Sequence, residues 1–154
     1  MRHLHLEKKG LRGLAIAESF SQDSKKSVLS GIVMSTDLII DGFALGHSTV
    51  GGDDATEAIL SMYEKLSRPD ISFLLISGIV ISLYNIVDVK KISEKIGLPV
   101  IGVTYEDSKG IEDAIKHHFP KSYDSKLAEY SKLGTREKIT LLSLIHISEP
   151  TRPY

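Results

Sequence analysis

Residues Leu11–Leu45, LRGLAIAESFSQDSKKSVLSGIVMSTDLIIDGFAL, hold three runs rich in apolar and β-branched residues. Leu11–Phe20, Ser27–Ser35 and Asp37–Leu45 each read as a strand. The connections between them are short, and the one at Ser35-Thr36-Asp37 is of hairpin size. Strands joined this way pair antiparallel, because a parallel return needs a long crossover.

Beyond this stretch the period changes. In Asp54–Leu66 the apolar positions Ala55, Ala58, Ile59, Met62 and Leu66 recur at helical spacing, which predicts an amphipathic helix. Gly51-Gly52-Asp53-Asp54 marks its start, and Asp54 with Glu57 has the form of a capping box. Ile71–Ile76 (ISFLLI) is unbroken apolar sequence, the pattern of a strand buried on both faces in a parallel sheet. A second helix is expected over Asn85–Ile96, with Ile86, Val89, Ile92 and Ile96 on one face and Gly97 as its stop. Val100–Thr104 is the fifth strand, and helices near Lys109–His118 and Tyr123–Leu133 follow. There is no room for helices between the first three strands, which disfavours a flavodoxin-like sheet. The expected fold is α/β: a ribonuclease H-like mixed five-stranded sheet, three strands antiparallel and then two parallel, with right-handed crossovers and helices on both faces.

The 154 residues suit one domain, and 42% apolar with 25% charged residues excludes a disordered chain. A formal charge of −1 excludes broad electrostatic binding of nucleic acid, though not a local basic patch. Arg2, Lys8, Lys9 and Arg12 make one such stretch. There is no cysteine, hence no disulfide or thiolate chemistry, and a cytoplasmic setting is expected. The first ten residues lack the apolar core of a secretory signal. The uncharged stretch Ile71–Val87 carries Ser72, Ser77, Gly78, Ser82 and Asn85 and reads as a strand rather than a membrane span. Ser143–Tyr154 (SLIHISEPTRPY) resembles a vector- or adaptor-derived peptide. A native domain over residues 1–142 is therefore expected, with 143–154 set apart from functional argument.

Ligands in such sheets bind beyond the carboxyl ends of the parallel strands. The residues expected there are Glu18, Ser77 and Glu106-Asp107, with Asp53 and Asp54 on the approach to the first helix. Converging carboxylates suit a hard divalent cation. Each also has a plainer role: Glu18 pairing with Lys25 or Lys26, Asp54 capping the helix, and Glu106 and Asp107 opening the next helix. Asp53 has no capping duty. His117-His118 reads as a solvated helix end, and Gly51-Gly52 lacks the Lys-Ser/Thr of a phosphate loop.

KKGLRGLAIAESF, SVLSGIVMSTDLIIDGF, TVGGDDATEAILSMY, LLISGIVISLYNIVD and GLPVIGVTYED follow in order over about Glu7 to Glu137. Together they are similar to the archaeal family catalogued as domain of unknown function 99, grouped with endonuclease V-like proteins of the ribonuclease H fold. The resemblance implies a longer native chain with a further C-terminal portion. It also implies Mg²⁺ or Mn²⁺ at an acidic site that hydrolyses phosphodiesters near deaminated purines. In that pattern Glu18 stands where the first strand carries Asp, Asp53 or Asp54 near a loop Glu, and Ser77 where the fourth strand ends in Asp. The implied metal ligands are Glu18, Asp53 and Asp54, and the implied catalytic set adds Ser77 and Glu106. Serine cannot replace a carboxylate in a two-metal clamp. The expectation is a non-catalytic module that binds nucleic acid or a protein; the alternative is a metal-dependent nuclease or phosphodiesterase with an altered carboxylate cluster. The apolar helix faces leave a homo-oligomer open, and no membrane partner is expected.

Overall fold

A computed structural model of the chain describes residues 10–21, 23–104 and 111–133. The element order is β1 (Arg12–Ser19), β2 (Lys26–Ser35), β3 (Ile40–Thr49), α1 (Ala55–Leu66), β4 (Ile71–Ser77), β5 (Val80–Ile81), β6 (Asn85–Ile86), α2 (Val89–Ile96), β7 (Val100–Val103), α3 (Ile111–His118) and α4 (Tyr123–Ser131). Five strands form one sheet in the order β3-β2-β1-β4-β7. β1 pairs antiparallel with β2, and β2 with β3; β1–β4 and β4–β7 are parallel. The mixed sheet is the one expected, with β1 at its centre.

The third strand starts later than the apolar pattern suggests. Ser35 N–H donates to Ile39 O and Leu38 N–H to Ser35 O, so residues 36–39 form the turn, with Leu38 in the left-handed region at φ 65°. The strand then runs on to Thr49, which brings its end to the same edge as the end of β1. The second helix also starts later than expected. Asn85 and Ile86 pair with Ile81 and Val80 in a small hairpin. Asp88 then caps α2 by accepting from Lys91 N–H at 2.9 Å. The apolar run Ile71–Val87 is thus a strand followed by a hairpin, and no helix of the described residues is long and apolar enough to cross a membrane.

α1 and α2 cover one face of the sheet. Leu14, Ile16, Leu29, Val33, Leu74 and Ile76 are buried there against Ala55, Ile59, Met62 and Ile92. Strand alternation fixes which residues contribute: every second side chain of β1, β2 and β4 enters this core. Met62 lies over Gly46, where a Cβ would come within 2.5 Å of the Met62 Cγ. The other face carries Phe43 and Leu45, which stay 74% and 71% exposed. α3 and α4 do not lie on that face at those residues. Phe119, just after α3, packs on Gly51, and α4 sends Lys126 into the loop before α1.

Candidate functional site at the carboxyl edge

The carboxyl ends of β1 and β4, the start of β2 and the end of β3 meet at one edge of the sheet. Glu18 continues the core-facing alternation of Leu14 and Ile16. Its Oε1 accepts from the Ser82 hydroxyl at 2.7 Å, not from Lys25 or Lys26. Ser82 lies 2.7 Å from the Ser27 hydroxyl and 3.1 Å from that of Ser48, and Ser27 and Ser48 are 2.7 Å apart. All three serines are buried. Ser27 and Ser48 face each other because they are register partners in β2 and β3. Each hydroxyl has one proton to give. With the Ser82 proton on Glu18, the other two hydroxyls satisfy Ser82 and each other. Glu18 therefore fixes Ser82 as a donor, while between Ser27 and Ser48 either hydroxyl can donate.

Ser82 reaches Glu18 from an unusual backbone. Ser82, Leu83 and Tyr84 all lie in the left-handed region, at φ 45°, 58° and 63°. L-residues pay roughly 1–2 kcal/mol each for this conformation, and such strain persists only where surroundings impose it. Here the turn's carbonyls are held: Ser82 O accepts from Gly51 N–H at 2.6 Å, and Tyr84 O from Lys126 Nζ at 3.0 Å.

Asp54 occupies the N-cap position of α1, but its side chain makes no cap. The carboxylate turns back to accept from Thr49 N–H (2.9 Å), Thr49 Oγ1 (2.7 Å) and Asn85 Nδ2 (2.8 Å). Burial alone would raise its pKa, yet the hydrogen bonds from Thr49 and Asn85 hold the carboxyl below its ordinary value. The first helical amide, Ala55 N–H, is capped from elsewhere, by Asn85 Oδ1 at 3.0 Å. The expected capping box does not form. Glu57 instead pairs with Lys91 at 2.7 Å, which lowers the Glu57 pKa. Asn85 is fully buried, and its second donor contact, to Thr49 O at 3.0 Å, completes the amide.

Asp53, left without a capping duty by the sequence, pairs with Lys126 Nζ at 2.6 Å. Ser77 goes elsewhere. It pairs with Val103, and alternation along β4 sets it on the face opposite Ile76, away from Glu18. Glu106 and Asp107 lie outside the described residues.

A divalent ion at this edge would need carboxylate oxygens free to turn toward it. Asp54 accepts from three donors, Asp53 has Oδ1 on an ammonium while its side chain stays 64% exposed, and Glu18 has a single hydroxyl on it. Among the described residues no three His, Asp or Glu side chains come together. The set Glu18, Asp53 and Asp54 does not fit a two-metal site as arranged. Lys25 and Lys26, also at this edge, are exposed, and no ion pair engages them among the described residues. The residues that organise the edge, Ser27, Ser48, Ser82, Asn85 and Lys126, are the ones that sequence patterning passes over. The available signal was a polar residue inside an apolar run, as at Ser82 and Asn85.

The solved structure of a protein of unknown function from Archaeoglobus fulgidus matches the fold, with a TM-score of 0.71 at 22% identity over 81% of this chain and 71% of that one. An endonuclease V from Streptomyces avermitilis gives a TM-score of 0.49 at 16% identity, over 64% of this chain and 47% of that one. In sequence, the chain is 38% identical over 122 residues to a UPF0215 protein of Pyrobaculum calidifontis, covering 79% of this chain and 66% of the relative. It is 33% identical over 105 residues to a UPF0215 protein of Thermococcus kodakarensis, covering 66% of this chain and 54% of the relative. The chain thus spans between half and two thirds of the length of these relatives. The family model described as endonuclease dU matches residues 9–146. The chain belongs to the endonuclease dU family.

Proposed function

We propose that this chain recognises nucleic acid at the carboxyl edge and, as it stands, binds rather than cuts. The observation that carries this reading is the engagement of Asp53 and Asp54 by the chain's own donors. Phosphodiester hydrolysis through paired metal ions needs carboxylates that clamp both ions; here Asp54 is taken up by Thr49 and Asn85, and Asp53 already carries an ammonium on Oδ1. Lys25 and Lys26 supply exposed cations at the same edge, suited to phosphate contacts that position a backbone without reading its sequence. The family description points to DNA carrying deoxyuridine as the ligand class. Fluorescence anisotropy with a single-deoxyuridine oligonucleotide in EDTA tests the reading. Saturable binding that weakens with salt is expected; absence of binding to any DNA or RNA overturns it.

The second reading is a Mg²⁺- or Mn²⁺-dependent endonuclease, favoured by the family's description. In that case Glu18, the carboxylate with one hydroxyl partner, is the ligand that matters. Cleavage of the same oligonucleotide in Mn²⁺, abolished by Glu18→Gln, would establish it over the first.

A further inference from the structure

Lys126 is only 2% exposed, on a helix whose other charged residues face water. Its ammonium donates to Gly52 O at 3.0 Å, Asp53 Oδ1 at 2.6 Å and Tyr84 O at 3.0 Å. These three acceptors match the three protons of a lysine ammonium. The Phe119 ring covers the group, with its centroid 4.8 Å from Nζ. Two main-chain carbonyls and a carboxylate, drawn from two loops and closed by an aromatic lid, make an oxygen cradle of the kind that holds hard cations.

We infer that the ammonium of Lys126 is the resident cation of the Gly51–Asp54 loop and holds the place at Asp53 that a divalent ion would otherwise take. The separations of 2.6–3.0 Å suit N–H···O bonds. They exceed the roughly 2.0–2.1 Å of Mg²⁺–oxygen bonds, so a metal would require the lysine to leave and the loop to contract. An ammonium in place also repels a divalent ion that approaches the same oxygens. The lysine does what an ion would do for the backbone. It ties the loop before α1 to the left-handed turn at Ser82–Tyr84, and so sets the position of Ser82 against Glu18. Asp53 is on this account a positioning residue of the loop. The inference stands whether or not the domain binds DNA.

Titration of the ¹⁵N-labelled chain with MnCl2 tests it through paramagnetic broadening of the amides of Gly51–Asp54 and Tyr84. The wild-type chain is expected to show no selective broadening there at millimolar Mn²⁺. Lys126→Ala is expected to gain it, with an affinity about tenfold or more higher, the order expected from removing a unit charge ~4 Å from a divalent ion in water. Asp53→Asn in the Lys126→Ala background is expected to remove the gain. Lys126→Met, which keeps the apolar stem, is the second variant should alanine prevent folding. Selective broadening in the wild-type chain overturns the inference by itself. A folded Lys126 variant with no gain in Mn²⁺ affinity overturns it too.

Discussion

The two ends of the sheet are both polar, and they are built on opposite principles. At the amino end of β1 and β4, Arg12 and Arg68 alternate with Asp41 and Asp70 in a ring of ion pairs 2.5–3.4 Å long. Every member keeps between 23% and 39% of its side chain exposed. The Arg12 and Arg68 guanidiniums hold the Asp41 carboxyl below its ordinary range, and Arg68 does the same for Asp70. At the carboxyl end, hydroxyls, one carboxamide and one ammonium are buried and each is satisfied inside the chain; no buried side-chain nitrogen or oxygen among the described residues lacks a partner. The amino end closes on itself with water on hand to replace any lost bond. The buried hydroxyls, carboxamide and ammonium of the carboxyl end have no such reserve, so damage to them costs more, whereas its carboxylates Asp53 and Asp54 stay exposed. That end also carries the exposed Lys25 and Lys26, the cations of the proposed nucleic-acid contact.

The largest effect is expected at Asn85. Asn85→Ala removes the cap on Ala55 N–H and one of the donors to Asp54 at a fully buried position. A loss of about 3 kcal/mol follows, read as a fall in Tm on the order of 10 °C. Ser82→Ala comes next, at about 1 kcal/mol, since it deprives Glu18 of its donor and the serine pair of a partner; urea unfolding would measure it. A loss no larger than that of a substitution in the amino-end ring would contradict the contrast between the two ends. Arg68→Ala at the other end should cost less than about 1 kcal/mol, and the cost should shrink further in high salt. An unchanged cost in molar salt would show that the ring is not the solvated network the geometry describes.

Asp54 adds a pH test. Its folded pKa lies below the unfolded value, so its contribution is complete above about pH 4 and is lost as pH falls through the folded pKa. The stability difference between wild-type and Asp54→Asn should therefore be constant near neutrality and narrow under acid. A difference that widens in acid would mean the carboxyl is protonated more easily in the folded state.

The sheet and the first helix were legible because burial writes itself into period: alternation in β1 and β2, continuity in β4, three-and-four spacing in α1. The β5–β6 hairpin was not, because two-residue strands carry no period and the left-handed turn at Ser82–Tyr84 contains no glycine to announce it. Asp54 was read as a cap from its place in the chain. The side chain that caps the helix comes from Asn85, thirty-one residues after Asp54, where spacing along one helix gives no signal. Glu18 was legible as a polar break at a strand end, whereas Ser77 was placed with it by linear analogy and separated from it by the strand's alternation. Arg12, read as part of a basic stretch, is engaged in the amino-end ring.

Binding of deoxyuridine-containing DNA in EDTA, compared between wild-type, Glu18→Gln and the Lys25→Ala/Lys26→Ala pair, bears most directly on the proposed function. Glu18→Gln should bind as tightly as wild-type or more so, because it removes an anion facing phosphate. The lysine pair should weaken binding and reduce the salt slope by about 1.8, two phosphate contacts' worth. Binding that appears only with Mn²⁺ and disappears in Glu18→Gln would contradict a recognition edge that works without metal.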